Sequence, residues 1–296
     1  MLKFKRFLNM YMKEIVIGII VIVIIIVIIQ ILNSVIKNQN EENQNTKSDK
    51  YYGYNKELST GDSKSDEDFV AQTSVIQKFV DYCNAKNYEE AYNLLTKDCK
   101  TVLFQNIDIF KTNYCDEVFN TKKTATYQAW NNYTYQVQLR NDIIATGNFS
   151  DSDYIEDYYT VVSDKLNIKG YIKGENVGKQ VENSNIKIQV VSIDYLMDYT
   201  KVNLKVYNGR NQSISLDLQQ SDYDTVLTNS LGTEFESRIT ENNKEELEIP
   251  AGEQKKLTIK FDASYNTNLE FNSLIFKRLI CYSGTGAIIK QINIEI

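Results

Sequence analysis

Histidine is absent from this 296-residue sequence, and proline occurs only once. The absence of histidine removes the commonest general base, the commonest zinc ligand and the usual pH switch near neutrality. It also excludes a classical serine–histidine–aspartate triad, although a serine–lysine dyad stays open. The twelve glycines are scattered, so the sequence has no phosphate-binding glycine loop. We therefore predict a non-enzymatic protein with no catalytic residue, no metal and no cofactor.

Cysteine is sparse, and no two of the four cysteines have Cys-x-x-Cys spacing. The four are Cys83, Cys99, Cys115 and Cys281. A zinc site would have to draw all four from distant positions. If Cys83 and Cys99 lie on two helices of an antiparallel hairpin, they are about 15 Å apart, which exceeds the reach of a disulfide. A bridge from Cys115 to one of them stays open, and the simplest prediction is that all four are small buried apolar side chains.

The charges are unevenly distributed. Residues 1–14 contain four basic side chains and one acidic side chain, while the whole chain has a formal net charge of −6. Residues 15–296 therefore carry −9. Binding to a duplex depends on basic groups that neutralise phosphates, so we predict no nucleic-acid partner.

A long apolar run is the clearest feature of the sequence. Residues 15–29 are unbroken by any polar side chain, and after Gln30 the apolar pattern continues through Leu32. A helix of about 20 such residues spans the hydrocarbon core of a bilayer. We predict an uncleaved signal anchor over residues 15–36, with Ile15, Ile29 and Leu32 in the membrane, and a cleaved signal peptide is the alternative. The preceding basic residues 1–14 predict a cytoplasmic N-terminus, with the rest of the chain outside the cell.

The remainder of the chain divides by composition and periodicity. Residues 37–65 are rich in Asn, Gln, Lys and Ser, which predicts a flexible polar stalk. Ser65 and the acidic residues after it resemble a helix cap, and apolar residues then recur at helical spacing to about Ala85. A second helix is predicted after Asn87, with Ala91, Leu94, Leu95 and Cys99 on one face, and a third over residues 107–119.

Beyond these helices the apolar period changes to two. Tyr133, Tyr135, Val137 and Leu139 alternate with polar residues, which predicts a half-buried strand. Helices followed by an antiparallel sheet predict an α+β domain over residues 66–178. From residue 183 to residue 296 short alternating segments are separated by turn residues, which predicts an all-β sandwich.

The segment from Phe79 to Phe119, FVDYCNAKNYEEAYNLLTKDCKTVLFQNIDIFKTNYCDEVF, resembles the opening helices of nuclear transport factor 2-like domains. The resemblance covers about residues 66–175. It implies a cone-like fold in which helices pack against a curved antiparallel sheet.

Residues 183–296 are similar to the immunoglobulin-like modules of membrane-anchored Gram-positive proteins. The similarity rests on VNLKVYN at residues 202–208 and on IPAGE at residues 249–253, which precedes an alternating strand. It implies an extracytoplasmic domain that commonly has a binding function. The complete expected fold is thus an N-terminal transmembrane helix, a cone-like α+β domain and an immunoglobulin-like β-sandwich.

One aromatic group is a candidate for a ligand site. Trp130, the only tryptophan, lies beside Tyr127, Tyr133 and Tyr135 in the sequence. In a cone fold these side chains could line the mouth of a pocket, and the alternative is that they fill the core between sheet and helices.

These features together predict a single-pass, membrane-anchored binding or scaffold protein of the bacterial cell envelope. Its expected contacts are the lipid bilayer, through the N-terminal helix, and other envelope proteins or a cell-wall component. A subunit of a conjugation or secretion apparatus is the first alternative. A cone domain that binds a small molecule or acts as an enzyme is the second.

Overall fold

The computed structural model describes residues 64–142, 154–216, 225–238, 247–267, 269–281 and 287–296. All of them belong to the unit Tyr52–Ile296, one of two units into which the chain divides. The fold of this unit is built from one group of helices and three antiparallel sheets.

The helices precede all the strands. They are α1 Asp66–Asn84, α2 Tyr88–Leu94, α3 Lys97–Leu103, α4 Ile107–Phe110, a π-helical turn Lys111–Cys115, and α5 Asp116–Val118. The predicted cap of the first helix is confirmed, because the Asp68 backbone N–H donates to the Ser65 hydroxyl at 3.2 Å. One face of α1 is buried and carries Phe69, Ile76 and Phe79.

The second predicted helix is interrupted where the sequence suggested continuity. After α2 the backbone of Leu95 is extended, and Leu95 forms a parallel bridge with Leu166. Thr96 then caps α3, because its hydroxyl accepts a hydrogen bond from the Cys99 N–H at 3.0 Å. The interruption attaches the helices to the strand that contains Leu166.

Sheet one lies under the helices. Its strands are β1 Lys123–Ala129, β2 Thr134–Asn141, β3 Tyr154–Val162 and β4 Lys165–Asn167, in that order. Phe79 of α1 meets Tyr159 of β3 edge to face at 5.8 Å between ring centres. Phe69 meets Tyr135 of β2 in the same way, also at 5.8 Å. These aromatic contacts form the core between helices and sheet.

Sheet two begins with the strand that follows β4 in the chain. It contains β5 Tyr171–Asn183, β6 Ile186–Leu196, β7 Thr200–Asn208 and β12 Gln254–Phe261, with the order β12-β7-β6-β5. The thirteen residues of β5 continue through residues 178–183, where the sequence predicts a domain boundary, although the pairing with β6 shifts register between Asn176 and Lys179.

Sheet three faces sheet two across an apolar core. Its path is β10-β9-β13-β8-β11, and β14 pairs with the other edge of β13. The bounds are β8 Ile214–Ser215, β9 Thr225–Asn229, β10 Glu234–Glu236, β11 Glu248–Ile249, β13 Phe271–Cys281 and β14 Ala287–Glu295. Inward residues of both sheets, such as Leu204, Phe261 and Phe276, are fully buried in one continuous cluster. Strands that alternate buried and exposed residues explain this two-layer packing.

The fold class expected from the sequence is wrong as stated. That expectation was an α+β chain with an N-terminal transmembrane helix, a cone-like domain and a terminal sandwich. Strands instead dominate the described residues, which form three antiparallel sheets. Among the described helices none is long and apolar enough to span a membrane, and the longest, α1, is a 19-residue helix with an acidic first turn. The predicted span 15–36, with Ile15, Ile29 and Leu32, lies outside the described residues, as do residues 1–14 and 37–63.

Candidate functional site

The four aromatic residues singled out in the sequence do not form one group. Tyr127 and Tyr135 are buried, with 1% and 0% of their surface exposed, whereas Tyr133 is 61% exposed. Trp130 is half-buried in the hairpin between β1 and β2. The single aromatic cluster predicted from the sequence is therefore divided between the core and the surface.

The hydroxyl groups of the two buried tyrosines form hydrogen bonds with side chains of the helical layer. The Tyr127 hydroxyl donates to the Gln77 side-chain oxygen, and the Tyr135 hydroxyl donates to that of Gln72 at 2.9 Å. The Lys64 ammonium donates to the Tyr135 hydroxyl at 2.7 Å and lies 4.4 Å from the centre of its ring. Partners of this kind make both tyrosines part of the packing between α1 and sheet one.

Tyr133 departs from the predicted alternation because of the hairpin. The side-chain oxygen of Asn131 accepts hydrogen bonds from the backbone N–H groups of Tyr133 and Thr134, at 2.9 and 2.8 Å. Those bonds hold Tyr133 in the turn, and β2 begins only at Thr134. Its side chain consequently points to solvent.

Trp130 belongs instead to a continuous row of aromatic rings. Consecutive ring centres are 6.4, 6.2, 6.1, 5.7 and 5.8 Å apart. We call this set the aromatic row, and in order it contains Tyr158, Trp130, Tyr265, Tyr195, Phe271 and Phe235. It starts on sheet one, passes through the loop between β12 and β13, and ends on sheet three.

Most of the aromatic row keeps part of its surface in contact with solvent. Tyr195 is buried, but the other five rings are half-buried. Single exposed apolar side chains are ordinary on a protein surface, whereas contiguous ones mark contact sites. Trp, Tyr and Phe are also enriched at protein interfaces.

A charged pair borders the aromatic row at Tyr195. The Tyr195 hydroxyl donates to Glu175 at 2.9 Å, and Glu175 forms an ion pair with Lys173 at 2.5 Å. The Lys173 ammonium lies 4.8 Å from the centre of the Tyr195 ring. Burial and the neighbouring Glu175 both raise the pKa of the Tyr195 hydroxyl, so Tyr195 is neutral and a fixed donor.

Trp130 is the only member of the aromatic row that the sequence pattern indicates. Tyr265 is 135 positions after Trp130, and its surroundings in the sequence are polar. A single aromatic residue in a polar loop is a weak signal of contact, and the pairing with Trp130 depends on how the two parts pack.

A second cluster, centred on Asp157, has the residue types of an acid–base site. The Asp157 carboxylate accepts hydrogen bonds from the N–H groups of Tyr158, Lys169 and Gly170 at 2.7, 3.2 and 3.1 Å. The Tyr114 hydroxyl donates to it at 3.2 Å and is also hydrogen-bonded to the Tyr159 hydroxyl. Burial raises the pKa of Asp157 to about 6, although the four donors favour the carboxylate.

The geometry of the Asp157 cluster gives it a structural role. Lys169 and Gly170 both have positive φ, at 54° and 66°, in the tight turn between β4 and β5. Backbone N–H groups in such a turn converge on one anion. Asp157 is that anion, and its oxygens are occupied by the donors that hold the turn.

The cysteines lie inside the helical part. Cys83, Cys99 and Cys115 are buried and free, as the simplest sequence prediction had them, and the side chain of Cys281 lies outside the described residues. Burial raises the pKa of Cys99 to about 12. A thiol with this pKa is a weak nucleophile near neutrality. Within the described ranges no group of three or more Cys, Asp or Glu side chains is placed to hold a metal ion.

Comparison with known proteins identifies no family for the chain. No family model matches the chain, and neither does any curated protein. A secreted protein of Mycobacterium tuberculosis, MPT63, is similar in structure over 39% of this chain and 95% of its own, with 12% identity and a TM-score of 0.24. A conserved hypothetical protein from Bacillus anthracis is similar over 40% of this chain and 96% of its own, with 11% identity and a TM-score of 0.25. Similarities this weak support no argument, so the two family resemblances seen in the sequence stay predictions.

Proposed function

We propose that this chain is a non-enzymatic binding or scaffold protein of the bacterial cell envelope, and that the aromatic row contacts a protein partner there. The row supports the proposal because five of its six rings are half-buried, in two groups on either side of the buried Tyr195. Large, rigid aromatic side chains dominate the energetics of many protein interfaces. No feature of the described residues favours the conjugation-apparatus or small-molecule alternatives over this one.

Location outside the cytoplasm belongs to the same proposal and rests on the sequence alone. The basic residues 1–14 and the apolar run at residues 15–29 are the support for attachment to the cell membrane. Protease added to intact cells should then digest the part of the chain that follows residue 64. Protection of that part until the cells are lysed would refute the location.

In vivo crosslinking tests whether the aromatic row meets a protein. A photoreactive phenylalanine derivative replaces Tyr133, which is exposed and three residues from Trp130, and in a control chain replaces Tyr154, which is 42% exposed on β3. Both replacements exchange one aromatic side chain for another. We expect an adduct with one envelope protein from position 133 and little from position 154, with the partner identified by mass spectrometry. Equal adducts from both positions, or none from position 133, would contradict the proposal.

Fluorescence then tests the contact directly, because Trp130 is the only tryptophan of the chain. Adding the purified partner, in a tryptophan-free form, should shift the emission of Trp130 with a saturating dose dependence. Tyr265→Ala should weaken binding about tenfold or more, as loss of an interface hot spot does, whereas Tyr154→Ala should not. A response of Trp130 to small solutes alone would favour the small-molecule alternative instead.

A further inference from the structure

The outer face of sheet two carries a cluster of lysines on β7 and β12. In both strands the inward residues, among them Val202, Leu204, Leu257 and Ile259, are buried in the sandwich core. Alternation therefore directs the residues between them outward. The outward side chains include Lys201 and Lys205 of β7, and Lys256 and Lys260 of β12. We call these four residues the lysine face.

The four lysines stand in two directly opposed pairs. Lys201 is the cross-strand partner of Lys260, and Lys205 is the partner of Lys256. Like charges at opposed positions of an antiparallel pair are destabilising. Burial lowers the pKa of Lys201, and the neighbouring Lys260 lowers it further against the attraction of Asp194. Asp194 of β6 offsets this repulsion at Lys201, whereas Lys205 has only Gln189 opposite it on β6.

The positive charge of the lysine face is little compensated on its own strands. Neither β7 nor β12 contains an aspartate or a glutamate, although the chain as a whole has a net charge of −6. On the neighbouring β6, Asp194 is the cross-strand partner of Lys201 and accepts a hydrogen bond from the Asn203 amide at 2.7 Å, so it compensates part of the charge. Within the part of the chain that the structure describes, none of the four lysines forms an ion pair. The side chains of Lys256 and Lys260 are exposed, and those of Lys201 and Lys205 are half-buried.

Protection of a sheet edge explains only part of this pattern. Lysines on an edge strand prevent the edge from pairing with another chain, and β12 is the outer strand of sheet two. That role accounts for Lys256 and Lys260. It does not account for Lys201 and Lys205, because β7 lies between β12 and β6.

Hydrogen-bonding groups fill the space between the two lysine pairs. The Thr258 hydroxyl donates to the Asn203 side-chain oxygen at 2.8 Å, and the Asn203 amide donates to Ser192 at 2.9 Å. The pairs are four residues apart along the strands, which corresponds to about 13 Å. The surface is thus a polar strip with positive charge repeated along it.

We propose that the lysine face binds a linear phosphodiester polymer of the cell envelope, whose chain runs along β7 and β12. A repeated positive charge matches a ligand whose negative charge repeats along one chain. The lysine ammonium, a compact point charge with three donors, suits phosphate oxygens. An anionic bilayer fits less well, because surface-binding faces add several apolar side chains that enter the lipid. On this face Asn203 and Thr258 occupy the centre of the strip, and the exposed Tyr207 lies only at its end, beyond Lys205. The proposal rests on the location outside the cytoplasm that is proposed above, and it does not depend on the aromatic row.

Binding of a defined polymer tests the lysine face in the full-length protein. The probe is poly(glycerol phosphate), and polyglutamate of equal charge and vesicles of phosphatidylglycerol are the comparisons. We expect the phosphodiester polymer to bind most tightly, with an affinity that falls steeply as salt rises because bound counterions are released. Equal binding of polyglutamate, tighter binding of the vesicles, or no binding at low salt would each overturn the proposal.

Matched variants locate the site. One variant replaces the four lysines of the lysine face by glutamine, and the control replaces four other lysines. The control positions are Lys78, Lys97, Lys111 and Lys179. Both variants lose the same charge, so a tenfold or greater loss of polymer affinity is expected only for the first. Equal losses in both would show that net charge alone is at work and would overturn the proposal.

Stability measurements test whether a loss of polymer binding in the variants comes from a damaged fold. Because opposed lysines repel, Lys205→Gln and Lys256→Gln should leave the thermal unfolding midpoint unchanged or raise it at low salt. A marked fall in the midpoint of either variant would assign these lysines to the fold and would overturn the proposal.

Discussion

The Asp157 carboxylate stabilises a turn, although its burial disfavours the charged form. The carboxylate holds the turn between β4 and β5 through the N–H groups of Lys169 and Gly170. Burial nevertheless raises its pKa to about 6 from the ordinary value of 3.8. The folded protein therefore binds a proton more tightly at this residue than the unfolded chain does.

The stability contribution of Asp157 should fall as pH rises through this window. Between pH 3.8 and about 6 the folded state holds more protons than the unfolded state, so linkage makes the free energy of unfolding decrease with rising pH, by at most about 3 kcal/mol. Asp157→Asn cannot titrate. We expect the stability of the wild type relative to this variant to be greatest near pH 4 and to decline toward pH 7. Urea unfolding of both proteins at several pH values measures it.

A difference that grows with pH instead would mean that the four donors, not burial, determine this pKa. Gln128→Glu, an exposed change on β1 that adds a carboxyl group, provides a control without a buried carboxylate.

Sequence periodicity predicts individual side chains well inside regular strands and poorly at their ends. Tyr135, Val137 and Leu139 are buried as the alternation predicts. Tyr133 has the same parity, yet it is exposed because Asn131 holds the hairpin backbone. A local side-chain hydrogen bond thus overrides the periodic pattern.

Among the elements, the interruption between α2 and α3 is the clearest departure from the expected structure. Apolar spacing alone indicates one helix through Cys99, since Leu95 continues its face. Helix α2 instead ends at Leu94, and the Thr96 N–H donates to the Leu166 carbonyl at 2.9 Å. This contact joins residues 70 positions apart, which local spacing does not reveal.

Thr96→Ala should destabilise the protein by about 1–2 kcal/mol. The substitution removes the cap of α3, and with it the 2.5 Å hydrogen bond from the Thr96 hydroxyl to the side-chain oxygen of Asn167. Thr101→Ala is the matched control, because Thr101 lies exposed on the same helix and its hydroxyl only bonds back to Lys97. Chemical denaturation of both variants makes the comparison. Equal effects would show that the cap contributes nothing beyond helix propensity.

At the scale of the whole molecule, β5 joins the two parts that the sequence separates. Its first residue, Tyr171, is buried, and the next one, Ile172, already belongs to the sandwich core. The strand order of each sheet and the aromatic row that crosses between them depend on contacts distant in sequence. Composition indicates helices first and strands later, but it does not show that the sandwich already begins at β5, directly after the turn that follows β4.

Two fragments test whether the sandwich needs β5. The first begins at residue 170 and keeps the strand, and the second begins at residue 183, where the sequence predicts the domain to start. The shorter fragment exposes the edge of β6 and loses Ile172, whose burial alone contributes about 1.5–3 kcal/mol. We expect a lower unfolding midpoint for the shorter fragment by circular dichroism. Equal midpoints would support a domain that begins at residue 183.

The continuity of β5 also determines how the molecule carries tension. If a partner pulls on the sandwich while the helical part is held, the load enters sheet two at Tyr171 and runs along the strand. β5 and β6 have ten paired positions between Tyr171 and Asn183. Hydrogen bonds in an antiparallel pair are perpendicular to the strands, so a force directed along β5 loads together the bonds within each regular run, Lys173–Asn176 and Lys179–Asn183. The junction between the two parts therefore resists such a force by shear between paired strands, whereas a hinge would simply bend.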